Sequence, residues 1–177
     1  LREYNLALAA AIELYETFPY SRYLPEADLL IGDCYFHQGQ VYSAATQYAR
    51  VLTAKASIRL KARAADRLGQ MSGAGRLTDR DIDRLRGDFG RQIIDEALTF
   101  GKARWPEKLG RPADSEKPLA RFLERFPNGY LEPLVRRQLL SRTKVPEPTL
   151  VDKIAEPEEV EEDPSKATYR IGIVAPL

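Results

Sequence analysis

The sequence predicts an all-α chain of helical hairpins stacked as a solenoid, and three observations carry that prediction. Residues 24–52 hold two amphipathic helical patterns joined by a glycine. A junction motif, Phe18-Pro19 with Tyr23-Leu24-Pro25 behind it, returns far downstream as Phe126-Pro127 with Tyr130-Leu131 and Pro133. Finally, 44% hydrophobic residues suffice for one substantial core, while 30% charged residues and a mean hydropathy of −0.42 argue against a membrane span.

The elements follow in order. Residues 2–17 form a first helix through Tyr4, Ala7, Leu8, Ala11 and Leu14. At an offset of 37 its Tyr4, Ala7, Ala11 and Leu14 fall on Val41, Ala44, Tyr48 and Val51, which makes it a partial repeat. The turn from Phe18 to Pro25 follows, and Pro25 suits the first turn of the next helix, where its missing N–H is not needed. The central unit reads Ile31-Gly32-Asp33-Cys34-Tyr35, then Gly39, then Ala44 with Tyr48 beyond it on the same helical face. Gly32 costs about 1 kcal/mol relative to Ala within a helix, so its use is to let the helix bearing Ala44 approach closely. Gly39 breaks the helix and reverses the chain.

Further helices are predicted at 57–71, 79–87 and 90–103, with breaks at Ser72-Gly73-Ala74-Gly75 and around Gly87-Asp88. Thr78 opens the middle one as a cap, with Asp79 and Asp81 beside its positive end. Trp105-Pro106 and Gly110-Arg111-Pro112 predict a longer loop before Ser115 caps the next helix. The offset between Phe18-Pro19 and Phe126-Pro127 is 108, three periods of 36, which fits a solenoid counting in units of that size.

The apolar-Gly-x-x-Tyr helix followed by an Ala-x-x-x-aromatic helix resembles a tetratricopeptide repeat, whose period is about 34 residues. Asp28 stands where that repeat usually carries an aromatic, and Ala56 where it carries a proline. The resemblance implies that residues 1–143 are a tetratricopeptide-like helical repeat domain.

Beyond it the composition changes. Residues 144–168 carry Pro146, Pro148, Pro157 and Pro164 among Glu156, Glu158, Glu159, Glu161, Glu162 and Asp163, which predicts an acidic, extended, Pro-rich linker. Residues 169–177, Tyr169-Arg170-Ile171-Gly172-Ile173-Val174-Ala175-Pro176-Leu177, switch to a strand pattern. That segment resembles the opening strand of type I periplasmic-binding domains, and the resemblance implies the start of a truncated C-terminal α/β domain.

No chemistry-bearing motif stands out, and the sequence assigns no catalytic, cofactor-binding or metal-ligating residue. Cys34 reads as a packed thiol and His37 as a structural residue at a helix end. Asp79, Asp81 and Asp83 alternate like part of a calcium loop but lack its Gly and closing Glu. From Lys55 to Arg91 ten Lys or Arg face five Asp, with Arg59, Arg63 and Arg67 at helical spacing. With only Phe89 available for stacking, a solvated basic face is expected rather than a nucleic-acid site. A net charge of +1 adds no general pull toward nucleic acid or anionic membranes.

Helical repeats, an acidic proline linker and a periplasmic-binding strand, in that order, resemble the penicillin-binding-protein activator lipoproteins. That resemblance implies a non-enzymatic scaffold in the periplasm, belonging to an outer-membrane lipoprotein with its lipid anchor upstream. It also implies a protein partner, a peptidoglycan synthase. The alternative it leaves open is an accessory repeat domain of an ABC-type solute receptor, in which a small ligand such as an amino acid binds only through the C-terminal domain.

Overall fold

Two buried glycines set how the helices meet, and the rest of the fold follows from their spacing. The structure is a computed structural model and describes residues 2–143. The linker and strand predicted at 144–168 and 169–177 lie outside the described residues. The described chain runs α1 (Arg2–Thr17), α2 (Leu24–His37), α3 (Val41–Thr53), α4 (Ile58–Gly73), α5 (Asp79–Phe89), α6 (Arg91–Ala103), the short α7 (Trp105–Lys108), a 3-10 turn (Pro112–Ser115), α8 (Glu116–Arg125) and α9 (Glu132–Thr143). The described residues are helices and connecting turns, with no strand among them.

The helix ends have local causes. Pro25 occupies the first turn of α2. At the other end of α2, Gly39 takes φ +78°, and the Gln40 and Gly39 amides close back on the Tyr35 and Phe36 carbonyls at 2.9 and 3.1 Å. This closure needs a left-handed residue, which glycine supplies without strain. Ser57 Oγ accepts from the Leu60 amide at the start of α4. At α5 the Thr78 hydroxyl accepts from the Asp81 amide at 3.2 Å, while Asp81 Oδ2 accepts from the Thr78 amide at 3.0 Å, a complete capping box.

The α2–α3 hairpin closes on Gly32. A Cβ there would stand 2.6 Å from Cε1 and 2.8 Å from Cδ1 of Tyr48, so hydrogen is all that fits beneath the ring. Tyr48 is fully buried, with Ala44, Ala45, Ala49 and Val51 around it. Thus Gly32 does let the helix bearing Ala44 come close, and the residue it admits is Tyr48.

A second hairpin repeats this contact between α4 and α6. Leu68-Gly69 follows Ile31-Gly32 at an offset of 37, and Gly69 packs backbone to backbone on Gly101. In the first hairpin the contact joins Gly32 to Tyr48 of the very next helix; in the second it joins Gly69 to Gly101, skipping a helix. The skipped helix is α5, which packs beside α6 and against α3. The helices are therefore unevenly spaced along the chain, and the interval of 108 between the Phe-Pro junctions is not three equal units.

Three boundaries differ from the sequence reading. α5 continues through Gly87 and Asp88, because nothing crowds Gly87, and stops at Gly90, whose φ of +95° ends the helix. The loop expected at 105–112 contains α7 and leads into the 3-10 turn. Ser115 does not cap α8 through its side chain: its backbone is already helical and its buried hydroxyl is held by Glu107 Oε1 at 2.9 Å and the Pro112 carbonyl at 2.7 Å.

Candidate protein-docking surface

The two Phe-Pro junctions fold into the same turn. In the first, the Phe18 amide donates to Leu14 O, Ser21 to Phe18 O and Leu24 to Ser21 O, at 2.9, 3.0 and 3.3 Å. In the second, Phe126 donates to Phe122 O, Gly129 to Phe126 O and Glu132 to Gly129 O, at 2.9, 3.1 and 3.2 Å. Each bond in one turn matches a bond in the other at the same offset that separates the two Phe-Pro pairs. The structural register is constant, so the slip of Tyr-Leu in the sequence is a real exchange: Tyr23 occupies the place of Leu131, and Arg22 that of Tyr130.

Their surroundings differ. The second turn is docked on α6. Phe122 is fully buried edge-on to Phe100 with ring centres 5.9 Å apart, Leu131 is fully buried, and the Tyr130 hydroxyl donates to Ile93 O at 3.1 Å. The Leu131 amide has no local acceptor and donates to Oε1 of the buried Glu96 at 2.7 Å. Gly129 makes room for that carboxylate, since a Cβ there would lie 2.6 Å from Glu96 Cδ. Burial holds the Glu96 carboxyl above its ordinary range, and the Leu131 and Tyr130 amides partly offset that.

In the first turn the matching amide, that of Tyr23, donates instead to Ser21 Oγ at 3.2 Å. Among the described residues the first turn is left exposed. Phe18 is 59% exposed, Tyr20 99% and Tyr23 52%. Leu6 is also exposed, and Ala10, Glu13, Leu14, Thr17 and Phe18 line a shallow groove of about 220 Å³ along α1. Leu6, Ala10 and Phe18 thus face outward, while Leu14 between them is partly buried against the Ala11, Ala27 and Ile31 cluster.

On another side of the α1–α2–α3 unit, Ile12, Tyr15, Ile31, Tyr35, Gln47 and Arg50 line a second groove of about 210 Å³. Asp28 lies buried nearby and accepts a hydrogen bond from the Tyr15 hydroxyl, so a ring from α1 meets the position where the repeat pattern expects an aromatic of α2. Burial raises the Asp28 carboxyl; Tyr15 and the Arg50 charge counter it. Behind this groove, Asp33 accepts from the Tyr48 hydroxyl at 2.7 Å and pairs with Arg67 at 3.1 Å, tying α2, α3 and α4 together.

Reactive side chains are spent on packing. Cys34 is buried, and burial followed by the neighbouring Asp33 charge pushes its thiol up, away from the nucleophilic thiolate. His37 stacks on Tyr4 with ring centres 4.6 Å apart. Asp81 is committed to the α5 cap and Asp83 to Arg86 at 2.9 Å. Among the described residues no group of three or more His, Cys, Asp or Glu is arranged to hold a metal ion, and no helix is long and apolar enough to cross a membrane.

The basic run from 55 to 91 is dispersed. Arg59 and Arg63 are exposed, whereas Arg67 pairs with Asp33, Arg76 lies over Phe36, Arg84 over Tyr42, and Lys61 over Tyr130.

Sequence reasoning missed Gly69 and Glu96. The signal for Gly69 was present, an apolar-Gly pair that repeats Ile31-Gly32 at the same offset of 37 that relates α1 to α3. For Glu96 the sequence carries no local signal, because its partner is the backbone amide of Leu131, far along the chain. No protein-family model, curated protein or solved structure matches the chain.

Proposed function

We propose that this chain is a non-catalytic protein-interaction scaffold, built as a tetratricopeptide-like solenoid and working on the periplasmic side of the cell envelope as part of a peptidoglycan-synthase activator. The observation that carries the scaffold reading is the contrast between the two turns. One surface of fixed geometry is covered by a helix in the second copy, and in the first it presents Phe18, Tyr20 and Tyr23 to solvent. Exposed aromatic groups on a rigid frame are the usual anchors of protein interfaces. The glycine-centred hairpins support the repeat reading, since close approach at Gly32 and Gly69 is what an apolar-Gly position in such a repeat provides. The envelope role rests on the order of segments in the sequence.

Binding of residues 1–177 to a purified peptidoglycan synthase ectodomain, measured by biolayer interferometry, tests the role. Saturable micromolar or tighter binding is expected, together with stimulated glycan-strand synthesis. Calorimetry with branched-chain amino acids and peptidoglycan fragments should give no heat of binding. Micromolar binding of any of those small ligands, with no synthase binding, would overturn the scaffold reading.

A further inference from the structure

We infer that α5 is a strap, a segment that lifts from α3 and α6 as a unit while α4 and α6, the helices it joins, stay packed on each other. The contact of α4 with α6 does not pass through it. Gly69 meets Gly101 backbone to backbone, and Asp66 pairs with Arg104 at 2.8 Å, so the two helices hold each other directly. α5 lies beside α6 and against α3 as a covering piece.

Its seat is small. Between Gly75 and Gly90, whose φ of +66° and +95° bound the segment, Leu77 and Leu85 are the buried residues, with Ile82 and Phe89 half-buried beside them. α4 and α6 bury seven residues each. Few buried apolar groups mark the parts of a fold that open at a fraction of the global unfolding free energy. The seam with α6 is also incompletely filled. A cleft of about 340 Å³ runs along it, walled by Asp79, Ile82 and Arg86 on one side and by Leu98, Thr99 and Lys102 on the other.

What fastens α5 across that seam is polar. Arg86 reaches Asp95 of α6 at 2.6 Å, Arg84 lies over the ring of Tyr42 in α3, and the Tyr42 hydroxyl donates to Asp88 at 3.5 Å. Solvent reaches both partners of the Arg86–Asp95 latch, so its opening is offset in part by hydration. The segment also carries its own helix signals. The capping box of Thr78 with Asp81, Asp79 in the first turn and Arg86 in the last all act within α5, so it leaves and returns as one piece. A helix of 11 residues is marginal by itself in water, so the lifted strap unravels in part and its amides become open to exchange. Lifting bares the strip of α3 and α6 beneath Leu85, a surface that the closed fold hides.

Hydrogen exchange of the full chain, read by mass spectrometry at rising urea below the unfolding transition, tests the strap. Without urea the amides of residues 82–89 should exchange about tenfold or more faster than those of 64–71 and 94–101. Their rates should rise with urea, but along a shallower slope, because lifting α5 exposes part of the surface that unfolding exposes. Gly69→Ala weakens the contact of α4 with α6, which the open state keeps. It should therefore speed residues 64–71 and 94–101 about fivefold or more and leave 82–89 within about twofold of wild type. Asp95→Asn weakens the latch and should speed residues 82–89 about threefold or more. Equal exchange in the three segments, or equal acceleration of all three by Gly69→Ala, means that α5 leaves only with global unfolding and overturns the strap. A urea slope of zero in 82–89 means fraying of single turns and overturns it too, as does Asp95→Asn without effect on those amides.

Discussion

Gly69→Ala, the smallest possible enlargement of a side chain, should destabilise this protein, whereas Gly87→Ala should stabilise it. Both glycines lie within helices, and in an unobstructed helix alanine is favoured by about 1 kcal/mol. At Gly87 nothing lies within 4 Å of the added carbon, so that gain is realised. At Gly69 the added carbon would stand 2.6 Å from the carbonyl carbon of Gly101 and 3.0 Å from the Lys102 nitrogen. These are backbone atoms and cannot rotate aside. To restore ordinary contact, α4 and α6 must separate by about 1 Å, loosening Ala65, Leu68 and Ala97, all fully buried. Overpacking costs about 1–3 kcal/mol, and between two backbones the cost falls in the upper part of that range, about 2–3 kcal/mol, so after the propensity gain the net loss is about 1–2 kcal/mol. For a domain of this size that lowers the melting temperature by about 3–8 °C, while Gly87→Ala raises it by about 3 °C. Thermal unfolding followed by circular dichroism reads both. If the two substitutions raise the midpoint alike, the close approach of α4 and α6 is wrong.

The same assay tests the other contacts. Gly32→Leu should force α2 and α3 apart at a cost of about 1–3 kcal/mol, and an unchanged midpoint would remove Tyr48 from its place over that glycine. Tyr15→Phe should cost about 1–3 kcal/mol by leaving the buried Asp28 carboxylate without its donor, whereas a neutral effect would mean that water replaces the hydroxyl there. Glu107→Ala should cost about 2–4 kcal/mol, because it strips Arg104, Ser115, Gln138 and Arg142 of a shared acceptor and loosens α9 from α7. Burial would raise the Glu107 carboxyl, but its hydrogen bonds from Arg104, Arg142 and Ser115 hold it below the ordinary range, so its contribution should fade as pH falls through that lowered value. Glu96 has the opposite sign: its pKa is raised in the folded state, so the stability linked to its protonation is full below the ordinary glutamate value and lost as pH rises through the raised one. Urea unfolding from about pH 7 to about pH 5 should show wild type gaining on Glu96→Gln, whose carbonyl still accepts from Leu131, and parallel slopes would refute the assignment.

What the sequence disclosed depended on the range of the interaction behind each signal. Helix ends set by one or two residues were legible: Pro25, Gly39, and Thr78 with Asp81 all act within a turn of where they stand. The Gly32 contact was legible as a need for space, but Tyr48 as the residue filling it required the structure. Gly87 and Gly90 lie within one helical turn of each other, and only the backbone conformation tells which ends the helix. Ser115 matched a cap in the sequence, yet its hydroxyl donates to Glu107 and accepts from Arg142, and Gln138 donates to the same Glu107 oxygen, so the group serves the α7–α9 contact instead. For the docking surface, the sequence supplied the repeated junction and the structure supplied the difference in exposure.

That difference separates two tasks that one motif performs. The Phe-Pro turn needs only its own backbone: the same three amide-to-carbonyl bonds form whether Phe18 faces water or Phe126 is buried against Phe122. Burial of the turn imposes a further demand, because the amide immediately before the next helix begins, that of Tyr23 or Leu131, must keep a partner when water leaves. Ser21 answers it locally, so the Tyr23 amide keeps a partner without a covering helix. Gly129 passes the demand to Glu96, and the turn then needs a helix carrying a side-chain acceptor at that point. A turn capped by its own serine keeps that amide paired whether or not a helix lies over it. A turn that borrows its cap from α6 exposes an unpaired amide and an uncovered apolar surface whenever α6 departs. The residue at this one position therefore separates a turn that needs its covering helix from one that does not.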